Sequence, residues 1–175
     1  MEFLARFRVA LGWVFAPLVL ILANPSTESI VVGAIVGLAG EAIRIWAAGH
    51  VNKNREVTSS GPYRYFAHPL YVGSSIMGVG LAIASANPIA AALIVVYLAV
   101  TLRAAIRNEE AFLRRTFGAE YDLYRRWSHG TPNGIPRRFS LSRALENREY
   151  RALLGLVAAL LLLAIKQRIM DRFGG

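Results

Sequence analysis

NPIAAALIVVYLAVTLRAAIRNEEAFLRR, residues Asn87–Arg115, is the stretch whose reading decides the fold. Its first half is apolar, and Pro88 suits the first turn of a helix. Its second half keeps the helical period but turns charged. At about 100° per residue, Arg103, Arg107, Glu110 and Arg114 form one polar stripe that faces solvent or headgroups and can exchange i,i+3 and i,i+4 ion pairs. Glu109 falls on the opposite face, among Leu102, Ala105, Ile106, Phe112, Leu113 and Thr116. A carboxylate turned into a bundle needs a partner, a proton or a ligand. An ionisable group in such a place is a functional candidate by default, and an ion pair with an arginine of another helix is the structural alternative.

Working outward, four more apolar blocks flank this one: about Val9–Ala23, Ile30–Ala48, Leu70–Ala86 and Ala152–Ile165. Apolar residues make up 55% of the 175 residues, gathered in blocks as in a polytopic membrane protein. The first block lacks a small-residue cleavage site and reads as a retained helix. The expected fold is therefore all-α, a polytopic transmembrane helical bundle with four spans and a fifth block. That fifth block, Ala152–Ile165, is short, and Lys166, Arg168 and Arg172 follow it. It either spans with local thinning or lies tilted in the inner leaflet. One domain, residues 1–175, is expected: 1–48 holds the first two helices, 49–138 the binding and catalytic region, and 139–175 an amphipathic segment and the short fifth helix.

The charge of +9 sits beside the apolar blocks, which argues for a membrane protein rather than nucleic-acid binding. Lys and Arg alternate between loops. Arg6 and Arg8 precede block one, and Lys53, Arg55 and Arg64 lie between blocks two and three. Eleven arginines lie between Arg103 and Arg151, whereas the turns at Asn24–Glu28 and Ser85–Pro88 have none. The rich loops are placed in the cytoplasm. The alanine- and arginine-rich composition points to a prokaryotic cell membrane. With no cysteine there is no disulfide, thiolate site or cysteine nucleophile. His50, His68 and His129 lack ligand spacing, so no metal is expected.

Other constellations gather near the charged loops. Glu41 and Arg44 sit i,i+3 near the inner end of helix two, as a self-neutralising pair or as a wall of a polar cavity. Gly61-Pro62-Tyr63 leads through His68 and Pro69 into the third block. The free N–H groups of that helix start can hold an anion, and Tyr63, His68 and Tyr71 add hydrogen bonds. Gly118 suits a helix C-cap. Ala119–Trp127 reads as a short helix with Tyr121, Tyr124 and Trp127 in one stripe, either an interfacial aromatic belt or a lid. Block three is rich in small residues, which let helices approach closely.

Taken in order, Gly61-Pro62-Tyr63, His68-Pro69-x-Tyr71-x-Gly73, Asn87-Pro88, Glu109-Glu110, Phe117-Gly118-x-Glu120-Tyr121-x-x-Tyr124 and Gly134-Ile135-Pro136 resemble the isoprenylcysteine carboxyl methyltransferase family over residues 50–138. The resemblance implies an S-adenosylmethionine-dependent membrane methyltransferase, releasing S-adenosylhomocysteine, with a cofactor pocket facing the cytoplasm. It implies cofactor contacts from the strand-like segment Arg55, Glu56, Val57 and Thr58, from Tyr63, and from His68, Pro69, Leu70 and Tyr71. Glu109 would stand where cofactor and substrate meet, and the apolar bundle would admit a lipid tail. The family's Arg-His-Pro is Ala67-His68-Pro69 here. The arginine one turn before the first glutamate is Ala105, so Arg107 or Arg103 would orient an acceptor carboxylate. The alternatives are a phospholipid or small-amine N-methyltransferase, an NADPH-dependent sterol-reductase-like protein, which 175 residues disfavours, and a non-catalytic membrane protein.

Overall fold

The computed structural model describes residues 12, 14–52, 56–126 and 137–173. Residues 14–22 are helical (α1), and the rest of the first apolar block, 9–11 and 13, lies outside the described residues. Five further α-helices follow before the last: α2 (Thr27–Ala48), α3 (Pro69–Ser85), α4 (Pro88–Phe117), α5 (Ala119–Arg126) and α6 (Leu141–Glu146). The last is α7 (Tyr150–Phe173), and a single 3-10 turn, Gly61–Arg64, precedes α3.

Local chemistry sets the boundaries. Ser26 and Ser29 form a capping box at the start of α2, each side chain accepting the other's backbone N–H at 3.1 and 2.9 Å. Ala86, at φ 45°, ends α3 in the left-handed region. The next residue, Asn87, caps α4 by accepting from Ile89 and Ala90. The chain therefore reverses within two residues, as the Asn87-Pro88 pair predicts.

α2, α4 and α7 are long and apolar enough to cross a membrane. α3 has 17 residues, about 25 Å, at the lower edge of a span. The fifth block differs most from expectation. α7 runs for 24 residues, about 36 Å, because helix continues through the polar residues on both sides of the apolar run. Lys166 stands at the far end, donating to the carbonyls of Leu20 and Ile21 at 2.8 and 2.7 Å. These carbonyls belong to the unpaired last turn of α1, where a cation is favoured. Lys166, the first basic residue after block five, thus meets the Asn24 turn, which has no Lys or Arg, rather than the arginine-rich loops.

α2 and α3 pack backbone to backbone. A Cβ on Gly33 would lie 2.5 Å from the Gly80 carbonyl, and one on Gly40 2.6 Å from that of Gly73. Small residues allow this approach where lipid supplies no hydrophobic drive between helices. α7 lies across α2 with Leu156 against Gly37, and Ala23, Ala84 and Leu163 form a small buried core near the Lys166 end. The larger apolar side chains, such as Ile35, Val95 and Leu161, point outward.

At the other end, the segment before α7 closes the C-terminus of α2. Asn147 donates to the carbonyls of Ala48 and Val51, and Arg143 to that of Gly49. These long-range side chains satisfy groups that the helix end leaves unpaired.

Candidate active site

At that charged end lies a cavity of about 750 Å³. One face of α4 forms its first wall, through Thr101, Leu102, Ala105, Asn108, Glu109 and Phe112. Their spacing follows the helical period that the sequence marks out around Glu109. The second wall is the chain leading into α3: Val57, Thr58, Tyr63, Ala67, Leu70 and Tyr71. No strand occurs among the described residues; Glu56–Thr58 is irregular, which corrects the strand-like expectation. That segment meets no neighbouring strand to pair with. Instead, Glu56 binds Arg137 at 2.5 Å and the Thr58 hydroxyl accepts from the Asn52 N–H at 3.4 Å.

α5 supplies the third wall. Gly118, at φ +48°, turns the chain back after α4, a conformation glycine adopts without strain. Tyr121 and Tyr124 then lie buried against the Tyr63 turn, at 1% and 6% exposure. The Tyr124 hydroxyl donates to the Tyr63 carbonyl at 3.0 Å. The aromatic stripe is therefore a cavity wall and not an interfacial belt; its third member, Trp127, lies outside the described residues. Burial pushes the phenols of Tyr121 and Tyr124 up to about 12. Burial first, and the Glu109 charge second, hold Tyr63 well above the usual range. All three stay protonated donors at neutral pH.

Glu110 overturns the simple stripe reading. It is not a solvated partner of Arg103, Arg107 and Arg114. Its Oε1 lies 3.1 Å from His68 Nε2 and 3.1 Å from Arg125 Nη2. The return of α5 brings Arg125 back over α4, a long-range event that the periodicity of α4 does not encode. Glu110 thereby ties the helix-three start to the α5 wall. Arg114 pairs with Asp122 instead, at 3.5 Å.

The expected site residues divide as follows. Glu109, Val57, Thr58, Tyr63, Leu70 and Tyr71 line the cavity together. Pro69 is buried at the first position of α3, and His68 stands beside the cavity on Glu110 rather than in its lining. Arg103 and Arg107 are exposed and outside the lining. Arg55 lies outside the described residues, as does Gly134-Ile135-Pro136. Glu109 has no hydrogen bond or ion pair among the described residues, unlike Glu56, which Arg137 neutralises.

Arg44 takes the cavity-wall alternative. It lines the cavity, and its Nε lies 2.6 Å from Glu149 and 3.6 Å from Glu41. Glu149 is 4% exposed and was not legible as a site residue. Its only sequence signal is an acid just before an apolar block.

Residues 29–120 match the phospholipid methyltransferase family. The nickel-cobalt-cadmium resistance protein of Alcaligenes xylosoxydans xylosoxydans is 31% identical over 148 residues, 78% of this chain and 68% of that protein. The protein-S-isoprenylcysteine O-methyltransferase of Schizosaccharomyces pombe is 33% identical over 98 residues, 56% of this chain and 40% of its own length. A probable protein-S-isoprenylcysteine O-methyltransferase of Oryza sativa subsp. indica is 31% identical over 117 residues, 60% of each chain. The chain thus spans about half the length of the two methyltransferases. No solved structure matches it.

Proposed function

The chain belongs to the phospholipid methyltransferase family, and from that premise we propose that it is an integral membrane enzyme using S-adenosylmethionine to methylate the carboxylate of a lipophilic, isoprenylcysteine-like acceptor. In this reading α1 and α3 cross the membrane beside α2, α4 and α7. The cavity faces the cytoplasm, because the loops around it carry most of the arginines.

The observation that carries the proposal is Glu109, a carboxylate without a hydrogen bond or ion pair among the described residues, in the wall of a cavity of ligand size. The residues present fit the cofactor. When bound, S-adenosylmethionine supplies an electrophilic methyl group on a positively charged sulfur. Glu109 offers the opposite charge, and Tyr63, Tyr71 and Tyr121 offer aromatic surface to a cation. The Tyr63 and Tyr121 phenols, kept protonated by burial, can donate hydrogen bonds. A carboxylate acceptor needs no base, only orientation in a site that excludes water. α5 supplies one wall of that site through Tyr121 and Tyr124.

A second reading, methylation of a lipid amine, draws on the placement of Arg103 and Arg107 outside the cavity. Glu109 would then accept the proton that an amine must release.

Calorimetry of the protein in lipid nanodiscs with S-adenosylmethionine, S-adenosylhomocysteine and NADPH tests the cofactor. The first two should bind and NADPH should not. Glu109→Gln should weaken the cationic donor on the order of tenfold, about 1.4 kcal/mol, a fraction of one close charge pair near a protein surface. The uncharged product should lose much less. Equal loss for both would remove Glu109 from the sulfonium, and no binding of either would end the cofactor reading.

A further inference from the structure

Two cavities meet at one arginine. The polar cavity shares Arg44, Ser74 and Leu98 with a second cavity of about 390 Å³. The second is apolar, with Phe15, Leu20, Met77, Ile94, Ala159 and Leu162 in its lining. Among the described residues, Arg44 is the cation common to both linings.

The guanidinium is tied by an ion pair on one side and by hydrogen bonds on another. Its Nε lies 2.6 Å from Glu149 Oε1. Its Nη1 donates to the Ser74 hydroxyl and, at 3.3 Å, to the Leu70 carbonyl. Nη2 makes no hydrogen bond among the described residues, on a side chain that is 19% exposed. A guanidinium is a rigid fork of five N–H donors. The Nε–Glu149 contact is an ion pair without hydrogen-bond alignment, so the two Nη1 bonds are what orient the fork. Glu149 offsets much of the charge, so Nη2 offers chiefly an oriented hydrogen bond.

We propose that Arg44 is the acceptor-positioning residue. Nη2 donates to an oxygen at the head of an amphiphilic acceptor, whose apolar chain lies in the second cavity and whose reacting group extends toward Glu109. This rests on the cofactor reading above and names the path by which the acceptor meets it. The oxygen can belong to the carboxylate of a prenylated cysteine or to the ester and phosphate groups of a phospholipid. The shared lining supplies the continuity that such a molecule needs.

The test follows labelled methyl transfer from S-adenosylmethionine in nanodiscs. N-acetyl-S-farnesylcysteine and phosphatidylethanolamine serve as separate acceptors, and S-adenosylhomocysteine affinity is measured in parallel. The acceptor that turns over identifies the source of the oxygen. Arg44→Met should raise its KM about tenfold while S-adenosylhomocysteine affinity stays within about threefold. Arg44→Lys, charged but without the fork, should recover only part of the loss. Ala159→Phe, which fills the apolar cavity, should raise the KM of a farnesyl acceptor more than that of a dimethylallyl one. If Arg44→Met does not fold, Ser74→Ala carries the test, with a KM rise of about threefold. An unchanged KM, or equal losses in KM and product affinity, would make Arg44 only a tie between helices. Wild-type protein that binds S-adenosylhomocysteine but methylates neither acceptor overturns the path. Protein that does not bind it overturns the cofactor reading instead.

Discussion

Glu110→Gln tests whether the site is built from α5 or only from α4. One carboxylate oxygen holds both His68 and Arg125 at 3.1 Å. Hydrogen bonds to charged groups contribute roughly 1.5–3 kcal/mol each. The Arg125 side chain is 39% exposed, so its share falls toward the surface-pair value of about 0–1 kcal/mol. Glutamine keeps an oxygen and so retains part of the His68 bond. Only the Arg125 share bears on α5, so the equilibrium that docks α5 falls by about 0–1 kcal/mol, up to roughly fivefold, while the lost part of the His68 bond loosens the start of α3. If a docked α5 is needed to complete the cofactor wall, S-adenosylhomocysteine affinity falls by at most that factor. Calorimetry reads the affinity, and amide hydrogen exchange reads the opening of Ala119–Arg126. Arg125→Gln should give a similar but smaller effect, and the double variant should fall short of the sum. The sequence alone ranks Glu110 below Glu109 and His68; the geometry places it level with His68. A Glu110→Gln protein with wild-type affinity and unchanged α5 protection would refute the reasoning.

Three further outcomes follow from placement and burial. The resemblance offers Arg107 or Arg103 for the acceptor, but Arg107 is exposed and outside the cavity, so Arg107→Ala should change acceptor KM less than twofold in steady-state kinetics, and a large rise would bring Arg107 to the substrate. Gly40→Ala places a methyl 2.6 Å from the Gly73 carbonyl and 2.7 Å from the Met77 nitrogen, both backbone atoms that cannot rotate away. It should cost about 1–3 kcal/mol, seen as a lower melting temperature in detergent, and an unchanged value would contradict the close contact. Tyr124 titrates near 12 when folded and near 10 when unfolded. The unfolded chain therefore releases its proton first, and stability present below pH 10 is lost as pH rises from 10 to 12, by up to roughly 2–3 kcal/mol. Tyr124→Phe should remove that part of the alkaline dependence in a pH-resolved unfolding series.

What the sequence made legible was periodic or local. The helical period of 101–113 placed Glu109 on the face of α4 that lines the cavity. Asn87-Pro88 specified the reversal, and Gly118 the end of α4. Residues whose roles depend on distant partners were not legible in that way. Glu110 looks solvated until Arg125 returns over it. Arg44 looks like the i,i+3 partner of Glu41, yet it lies closer to Glu149, 105 residues later in the chain. The length of α7 was underestimated because an apolar count stops at Ile165, whereas the helix continues as Lys166 and Gln167 find partners on α1 and α2. Hydrophobicity reports what lipid tolerates, and the helix ends where its backbone and side-chain hydrogen bonds end.

Gly73 shows how packing and site are one construction. It stands one turn into α3, in the His68-Pro69-x-Tyr71-x-Gly73 run. A Cβ there would lie 2.5 Å from Arg44 Cγ and 2.6 Å from the Gly40 carbonyl. The missing side chain therefore serves two contacts at once. It lets α2 and α3 touch, and it leaves a notch for the stem of Arg44. Through that notch the guanidinium reaches Ser74 and Leu70 on α3 and Glu149 before α7. Burying a charged group in this way is costly unless its partners are fixed, and here the partners come from two different parts of the chain. Any side chain at position 73 would separate the helices and displace the arginine together. The demand for glycine at that point is thus a demand of the cavity boundary as much as of helix packing.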